Sequence, residues 1–179
     1  MDTAPELKIV AFCCKYCAYK AADLAGSMRL QMPPELRIVQ VPCTGRLDMV
    51  EVLHAIEEGA DGVMTLGCMP GDCHFLQGNL RARKRVEYVK RLLNDVGMEQ
   101  ERLEMFNLSS AMGGKFVEYA TEMAERIRKL GPSRLRRPAN SEPRGYREDH
   151  LEFGMRKLEL ENETAPPEES PVCHHNTLG

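Results

Sequence analysis

Six of the seven cysteines in this 179-residue chain fall between Phe12 and His74, in the runs FCCKYC, VPCTG and LGCMPGDCH. Cys14 and Cys17 make a C-x-x-C, Cys68 and Cys73 a C-x-x-x-x-C, and Cys43 stands alone between them. Thiols gathered in this way serve thiol–disulfide exchange, structural zinc binding or iron–sulfur ligation. Exchange needs only two thiols, so Cys14 and Cys17 acting as a dithiol would leave the other segments unexplained. Structural zinc belongs mostly to small loop-rich modules that cannot fold without it. An iron–sulfur cluster needs four thiolates converging from a rigid scaffold. Cys13 and Cys14 are adjacent and point to opposite sides of an extended chain, so only one of them is expected at such a centre. Cys14, three residues before Cys17, is that candidate, and Cys13 is expected as a buried apolar residue. Cys14, Cys17, Cys43, Cys68 and Cys73 are then five candidates for four positions.

The elements that must bring these thiols together are legible in the hydrophobic pattern. Leu7 to Phe12, Leu36 to Val41 and Gly62 to Leu66 are short apolar runs expected to be buried strands, each followed by cysteine. Leu103 to Leu108 is a weaker fourth strand. Between them, helical spacing predicts a helix on Ala18, Ala21, Leu24, Ala25 and Met28, stopped by Pro33-Pro34. A second helix is expected with Met49, Val52, Leu53 and Ile56 on one face, ending near Gly59. A third covers about Leu80 to Val96, with Val86, Val89, Leu92, Leu93 and Val96 inward and Gly97 as its stop. A fourth follows Ser109 or Ser110, carrying Phe116, Ala120, Met123, Ile127 and Leu130. Strict alternation of strand and helix predicts an open, mainly parallel four-stranded α/β sheet with flanking helices, of the flavodoxin or Rossmann type. Ligands of such sheets bind outside the carboxyl ends of the strands, where the cysteines lie.

Composition narrows the remaining possibilities. The length fits residues 1–131 as one α/β domain, with 132–179 as an irregular or partner-docking extension punctuated by Pro138, Pro143, Pro166, Pro167 and Pro171. Within that extension Glu148 to Glu161 has a weak amphipathic pattern, and Cys173-His174-His175 is expected to be inert. No secretory signal or membrane-length apolar run is present, which predicts a cytoplasmic protein with reduced thiols. A net charge of −3 with interspersed signs, and no Trp, argues against nucleic acid as a partner. No P-loop, G-x-G-x-x-G or nucleophile–base pair occurs. Gly45, Gly67 and Gly71 beside the cysteines suit either close backbone approach to sulfur or simple turn geometry. His74 reads as a loop histidine in preference to a ligand, and Asp72 as a turn former. Arg81, Arg83, Lys84 and Arg85 form either a solvated helix face or, given the nearby cysteine loop, a docking surface for an acidic partner.

The ordered runs FCCKYCAYKAADLAG, VPCTGRLD, ADGVMTLGCMPGDCHFLQGN and RARKRVEYVKRLL resemble the iron–sulfur delta subunit family of methyl-viologen-reducing hydrogenase, from about Lys8 to about Gly131. The resemblance implies a small cytoplasmic protein with one 2Fe-2S cluster, and its cysteine motifs fall on Cys14, Cys17, Cys43, Cys68 and Cys73. It also implies electron relay between a hydrogenase or formate dehydrogenase and the flavin subunit of heterodisulfide reductase, within an electron-bifurcating complex. The catalysis would belong to those partners.

Overall fold

In a computed structural model, residues 7–136 are described. They contain β1 (Ile9–Cys14), α1 (Ala18–Ser27), β2 (Leu36–Val41), α2 (Met49–Glu57), β3 (Gly62–Gly67), α3 (Gly78–Asp95), β4 (Leu103–Asn107) and α4 (Gly113–Leu130). All strand pairings are parallel, and the order across the sheet is β2-β1-β3-β4. The chain first steps outward from β1 to β2 and then crosses back to β3. The C-terminal ends of β1 and β3 therefore flank the point where the winding direction reverses, the crevice in which open α/β sheets place ligands.

Two apolar layers sandwich the sheet. Ile9, Ala11, Cys13, Met64 and Leu66 pack with Ala18 and Ala21 of α1 and with Phe116, Met123 and Ile127 of α4. On the other face Phe12, Val63, Leu103 and Met105 pack with Val52 and Ile56 of α2 and with Val86, Val89 and Leu93 of α3. Helices on both faces are what opposite directions of travel require when the crossovers share one hand. The helical periods assigned from sequence fill these layers, apart from Leu24 and Leu92, which are half-buried, and two exposed positions. Val96 follows the end of α3 and is 70% exposed, and Met28 follows α1 and is 56% exposed. Both lie one position past their helix, where the helical phase no longer governs direction.

The strands also depart from expectation in two places. β1 begins two residues later than Leu7 and runs through Cys13 to Cys14, paired with Gln40 and Val41 of β2. The cysteine run is thus partly strand, and the turn begins at Lys15. β2 is not buried: it pairs only with β1, and Ile38 and Val39 are 36% and 41% exposed. Its β-branched residues reflect strand propensity at a sheet edge and not core position. The fourth helix starts at Gly113, after a turn at Ser109–Met112 closed by the Met112 N–H donating to the Ser109 carbonyl.

At the amino edge of the sheet, opposite the cysteines, a buried polar lock joins the segments. The Asp61 carboxylate accepts the backbone N–H groups of Lys8 at 2.8 Å and Ser133 at 2.7 Å. The buried Arg102 guanidinium donates to the carbonyls of Asp61 and Gly131 and to Glu99. Packing therefore continues past Gly131, with Ser133 buried. The segment Glu148 to Glu161, Cys173-His174-His175 and the rest of residues 137–179 lie outside the described residues.

Candidate metal centre

Parallel pairing fixes the first contact of the site. Cys14 closes β1, Cys68 follows β3, and their Sγ atoms stand 3.9 Å apart. Cys17 joins them because the chain turns back after Cys14, with the Cys17 N–H donating to the Cys14 carbonyl, and then enters α1. The three Sγ atoms all lie within 4.8 Å of one another and are buried. Cys43 and Cys73 meet at the start of α3. A Cβ built on Gly78 would stand 2.5 Å from Cys43 Sγ and 3.1 Å from Cys73 Sγ, so this glycine leaves the space in which the two sulfurs sit. Five buried thiols from three segments thus form a group of three and a pair. Cys13 is fully buried in the α1/α4 layer, and burial pushes its thiol up to about 12.

Local structure holds each cysteine loop. Asn79, buried in the first turn of α3, donates its side-chain amide to the carbonyls of Cys68 at 3.1 Å and Met69 at 2.8 Å. Asn107, at the end of β4, donates to the same Cys68 carbonyl at 2.5 Å, and Arg83 donates to the Asn107 side chain. Arg85 reaches across to the carbonyls of Gly45 and Leu47 at 2.8 and 2.9 Å, fastening the Cys43 loop to α3. Arg83 and Arg85 are therefore engaged in holding the loops, whereas Arg81 and Lys84 are exposed. Gly71 takes a φ of +90° with open space around its Cβ position, so turn geometry accounts for it. Gly45 donates its N–H to Cys43 Sγ at 3.4 Å. Asp72 is exposed, and its N–H closes the turn on the Met69 carbonyl.

The electrostatics distinguish the sulfurs. Hydrogen bonding from the Cys17 thiol is the main influence lowering Cys14 to about 5, against the opposing effect of burial, with help from the N–H groups of Tyr16 and Cys17. The same contact, with burial, pushes Cys17 upward. Burial raises Cys68 and Cys43, although each accepts a backbone N–H, from His74 and Gly45 respectively. At Cys73 burial is outweighed by the N–H groups of Asn79, Phe75 and Gly78 at the positive end of α3, and the thiol is lowered. Backbone N–H groups aimed at Cys14, Cys43, Cys68 and Cys73 suit thiolates that carry metal. The donor set, all soft sulfur, and the space kept by Gly78 fit an iron–sulfur group.

The rim of the site is aromatic. Tyr16, between Cys14 and Cys17, stacks on His74 with centroids 3.9 Å apart, and Phe75 meets both rings edge-on. His74 is exposed in this stack and stands outside the group of three thiols. The sequence pattern did not single out Gly78, Asn79, Asn107 or the Tyr16–His74 stack. A glycine and an asparagine opening a helix just after a cysteine loop were the available signal for the first two.

Fold and site together define a doubly wound parallel α/β domain with a thiol cluster at its switch point. The chain belongs to the family described as methyl-viologen-reducing hydrogenase, delta subunit, whose pattern matches residues 9–131. It is 46% identical over 128 residues to the vhu iron–sulfur subunit of the F420-non-reducing hydrogenase of Methanocaldococcus jannaschii, covering 72% of this chain and 96% of that one. It is 43% identical over 132 residues to the corresponding iron–sulfur subunit of the F420-non-reducing hydrogenase of Archaeoglobus profundus, covering 74% and 96%. A third relative is much longer. In Methanosarcina mazei, one subunit of the ferredoxin:CoB-CoM heterodisulfide reductase is 36% identical over 124 residues, which are 69% of this chain and 16% of that protein.

Proposed function

We propose that this protein is a cytoplasmic electron-transfer subunit that holds a 2Fe-2S cluster through four of Cys14, Cys17, Cys43, Cys68 and Cys73. The observation that carries this reading is the set of five buried thiols at the switch point, with backbone N–H groups directed at four of them. When bound, such a cluster supplies reversible one-electron transfer. The chain's own residues then exclude water and fix the sulfurs. Asn79 and Asn107 pin the Cys68 loop, Arg85 pins the Cys43 loop, and the Tyr16–His74 stack ties the turn between Cys14 and Cys17 to the residue after Cys73. The N–H groups neutralise thiolate charge and favour the more reduced state of whatever metal the sulfurs carry.

Two other readings fare worse on the same geometry. A dithiol enzyme needs an attacking sulfur that a substrate disulfide can reach, but Cys14 and Cys17 are only 1% and 4% exposed. A structural zinc ion serves small modules that lack a core, whereas here two apolar layers already hold the sheet together.

The partners proposed are a hydrogenase or formate dehydrogenase on one side and the flavin subunit of heterodisulfide reductase on the other, in an electron-bifurcating assembly. Relatives named as hydrogenase subunits, and a heterodisulfide reductase component that contains a similar stretch, support the hydrogenase and heterodisulfide reductase ends. The formate dehydrogenase, the flavin and bifurcation rest on the family resemblance. Among the described residues no helix is long and apolar enough to cross a membrane. The test is iron and acid-labile sulfide analysis of anaerobically purified protein with EPR of the dithionite-reduced form. About two irons and two sulfides per chain with a spin-half signal are expected. Zinc, or no metal after reconstitution, would overturn the assignment.

A further inference from the structure

The loop between Cys73 and α3 contains a leucine in a costly position. Leu76 has a φ of +61°, a conformation that suits glycine or asparagine and strains a bulky side chain, and it is 84% exposed. It precedes Gln77, the cap of α3. A hydrophobic residue at that place ordinarily folds down onto the fourth helical residue, but here that residue is Arg81. The strained turn, closed by the Leu76 N–H on the Cys73 carbonyl at 2.8 Å and the Gln77 N–H on the Phe75 carbonyl at 2.7 Å, therefore holds Leu76 out in solvent. Phe75 and Leu80 beside it are 52% and 48% exposed, and Phe75 rests its edge on Tyr16. Backbone strain spent on holding apolar side chains in solvent points to an interaction surface.

Charge around the loop identifies the kind of cover. The chain as a whole carries −3, yet the carboxyl edge of the sheet exposes Lys15, Arg46, Arg81 and Lys84 against two acids, Asp48 and Asp72. None of these four has an ion-pair partner among the described residues. The N-terminus of α3 adds its positive dipole. A second copy of this chain would present the same basic rim and be repelled. An acidic-rimmed protein with an apolar centre is complementary and would be steered to this edge.

The geometry points to the Phe75–Leu76–Leu80 surface, rimmed by Arg81 and Lys84, as the docking site of the redox partner that exchanges electrons with the buried thiol centre. The inference rests on the proposed electron-transfer function and adds the face through which it operates. Phe75 and Leu76 follow Cys73 by two and three positions, and Tyr16, which Phe75 touches, lies between Cys14 and Cys17, so a partner seated here rests on the loops that carry three of the sulfurs. Apolar anchors at the centre with charges at the rim are the usual anatomy of such an interface.

The test uses the full chain, anaerobically purified, and the heterodisulfide reductase flavin subunit of the same organism as probe, with binding followed by calorimetry. Leu76→Glu and the double variant Arg81→Glu/Lys84→Glu are each expected to weaken binding at least about tenfold while leaving iron content and visible spectrum as in the wild type. The wild-type affinity should fall with added salt and that of the double variant much less. Leu76→Gly separates docking from folding: it relieves the positive φ and should raise the melting temperature while still weakening binding. Wild-type affinity in Leu76→Glu, or binding of the wild type to itself in preference to the flavin subunit, would overturn the proposal. If the wild type carries iron and sulfide but does not bind the flavin subunit, the docking site fails and the cluster assignment stands. If it binds without iron, the cluster assignment fails, and the variants still decide the docking site.

Discussion

Cys14 and Cys68 are separated by 54 positions in the chain, yet their sulfurs lie 3.9 Å apart because β1 and β3 are hydrogen-bonded neighbours that end at the same edge. The thiol pair is thus a product of strand order. Exchanging either sulfur should damage the metal centre and spare the sheet. Cys68→Ala is expected to lose most of its iron and its visible absorption with an unchanged far-ultraviolet circular dichroism spectrum. Cys13→Ala should do the reverse, keeping its iron and losing about 1 kcal/mol of stability through a small core void.

Gly78→Ala tests the space shared by Cys43 and Cys73. An added methyl carbon at 2.5 Å from Cys43 Sγ must displace that sulfur, although alanine is the better helix former. The variant should keep α3 and bind metal at least about tenfold more weakly, as a shifted ligand does. Metal content after dialysis against a chelator measures it.

Arg102 is buried and serves the carbonyls of Asp61 and Gly131 together with the Glu99 carboxylate. Arg102→Met fills the volume but leaves those acceptors unpaired, at a cost of about 2–4 kcal/mol in denaturant unfolding. Arg102→Lys should rescue little of this, since one ammonium cannot reproduce the planar fork.

Glu104, on β4, is held between Lys90 at 2.9 Å and Arg126 at 2.9 Å. Burial acts to raise its carboxyl, but hydrogen bonds from Lys90 and Arg126 outweigh it and the net shift is downward. A carboxylate with a lowered folded pKa contributes stability that is fully present above its unfolded value, near 4.3, and is lost as pH falls through the folded one. Thermal melting from pH 7 to pH 3 should show this loss. Glu104→Gln should be less stable at pH 7 by about 1–2 kcal/mol and show a shallower acid slope.

Much of the architecture was legible because each strand and helix carries the period its layer demands. Phe116, Ala120, Met123 and Ile127 mark the face of α4 without help from tertiary structure, and all four are buried. The convergence of Cys14, Cys17 and Cys68 followed from the parallel topology. What was hidden depended on neighbours. Ile38 and Val39 look like core residues until β2 is known to be an edge strand. The division of the thiols into three and two depends on where α3 begins, and therefore on Gly78, whose importance is the absence of a side chain. Tyr16 and His74 are distant in sequence, and no local pattern announces that they stack.

The two oxygens of Asp61 hold the chain where it enters β1, at Lys8, and where it leaves α4, at Ser133. Entrance and exit are therefore side by side, on the edge of the sheet turned away from the sulfurs. A unit built this way is a cassette: it can be spliced into a longer polypeptide at one point on its surface, and the reactive edge stays free. The long Methanosarcina mazei relative, in which a similar stretch makes up 16% of the protein, has the organisation such a cassette permits.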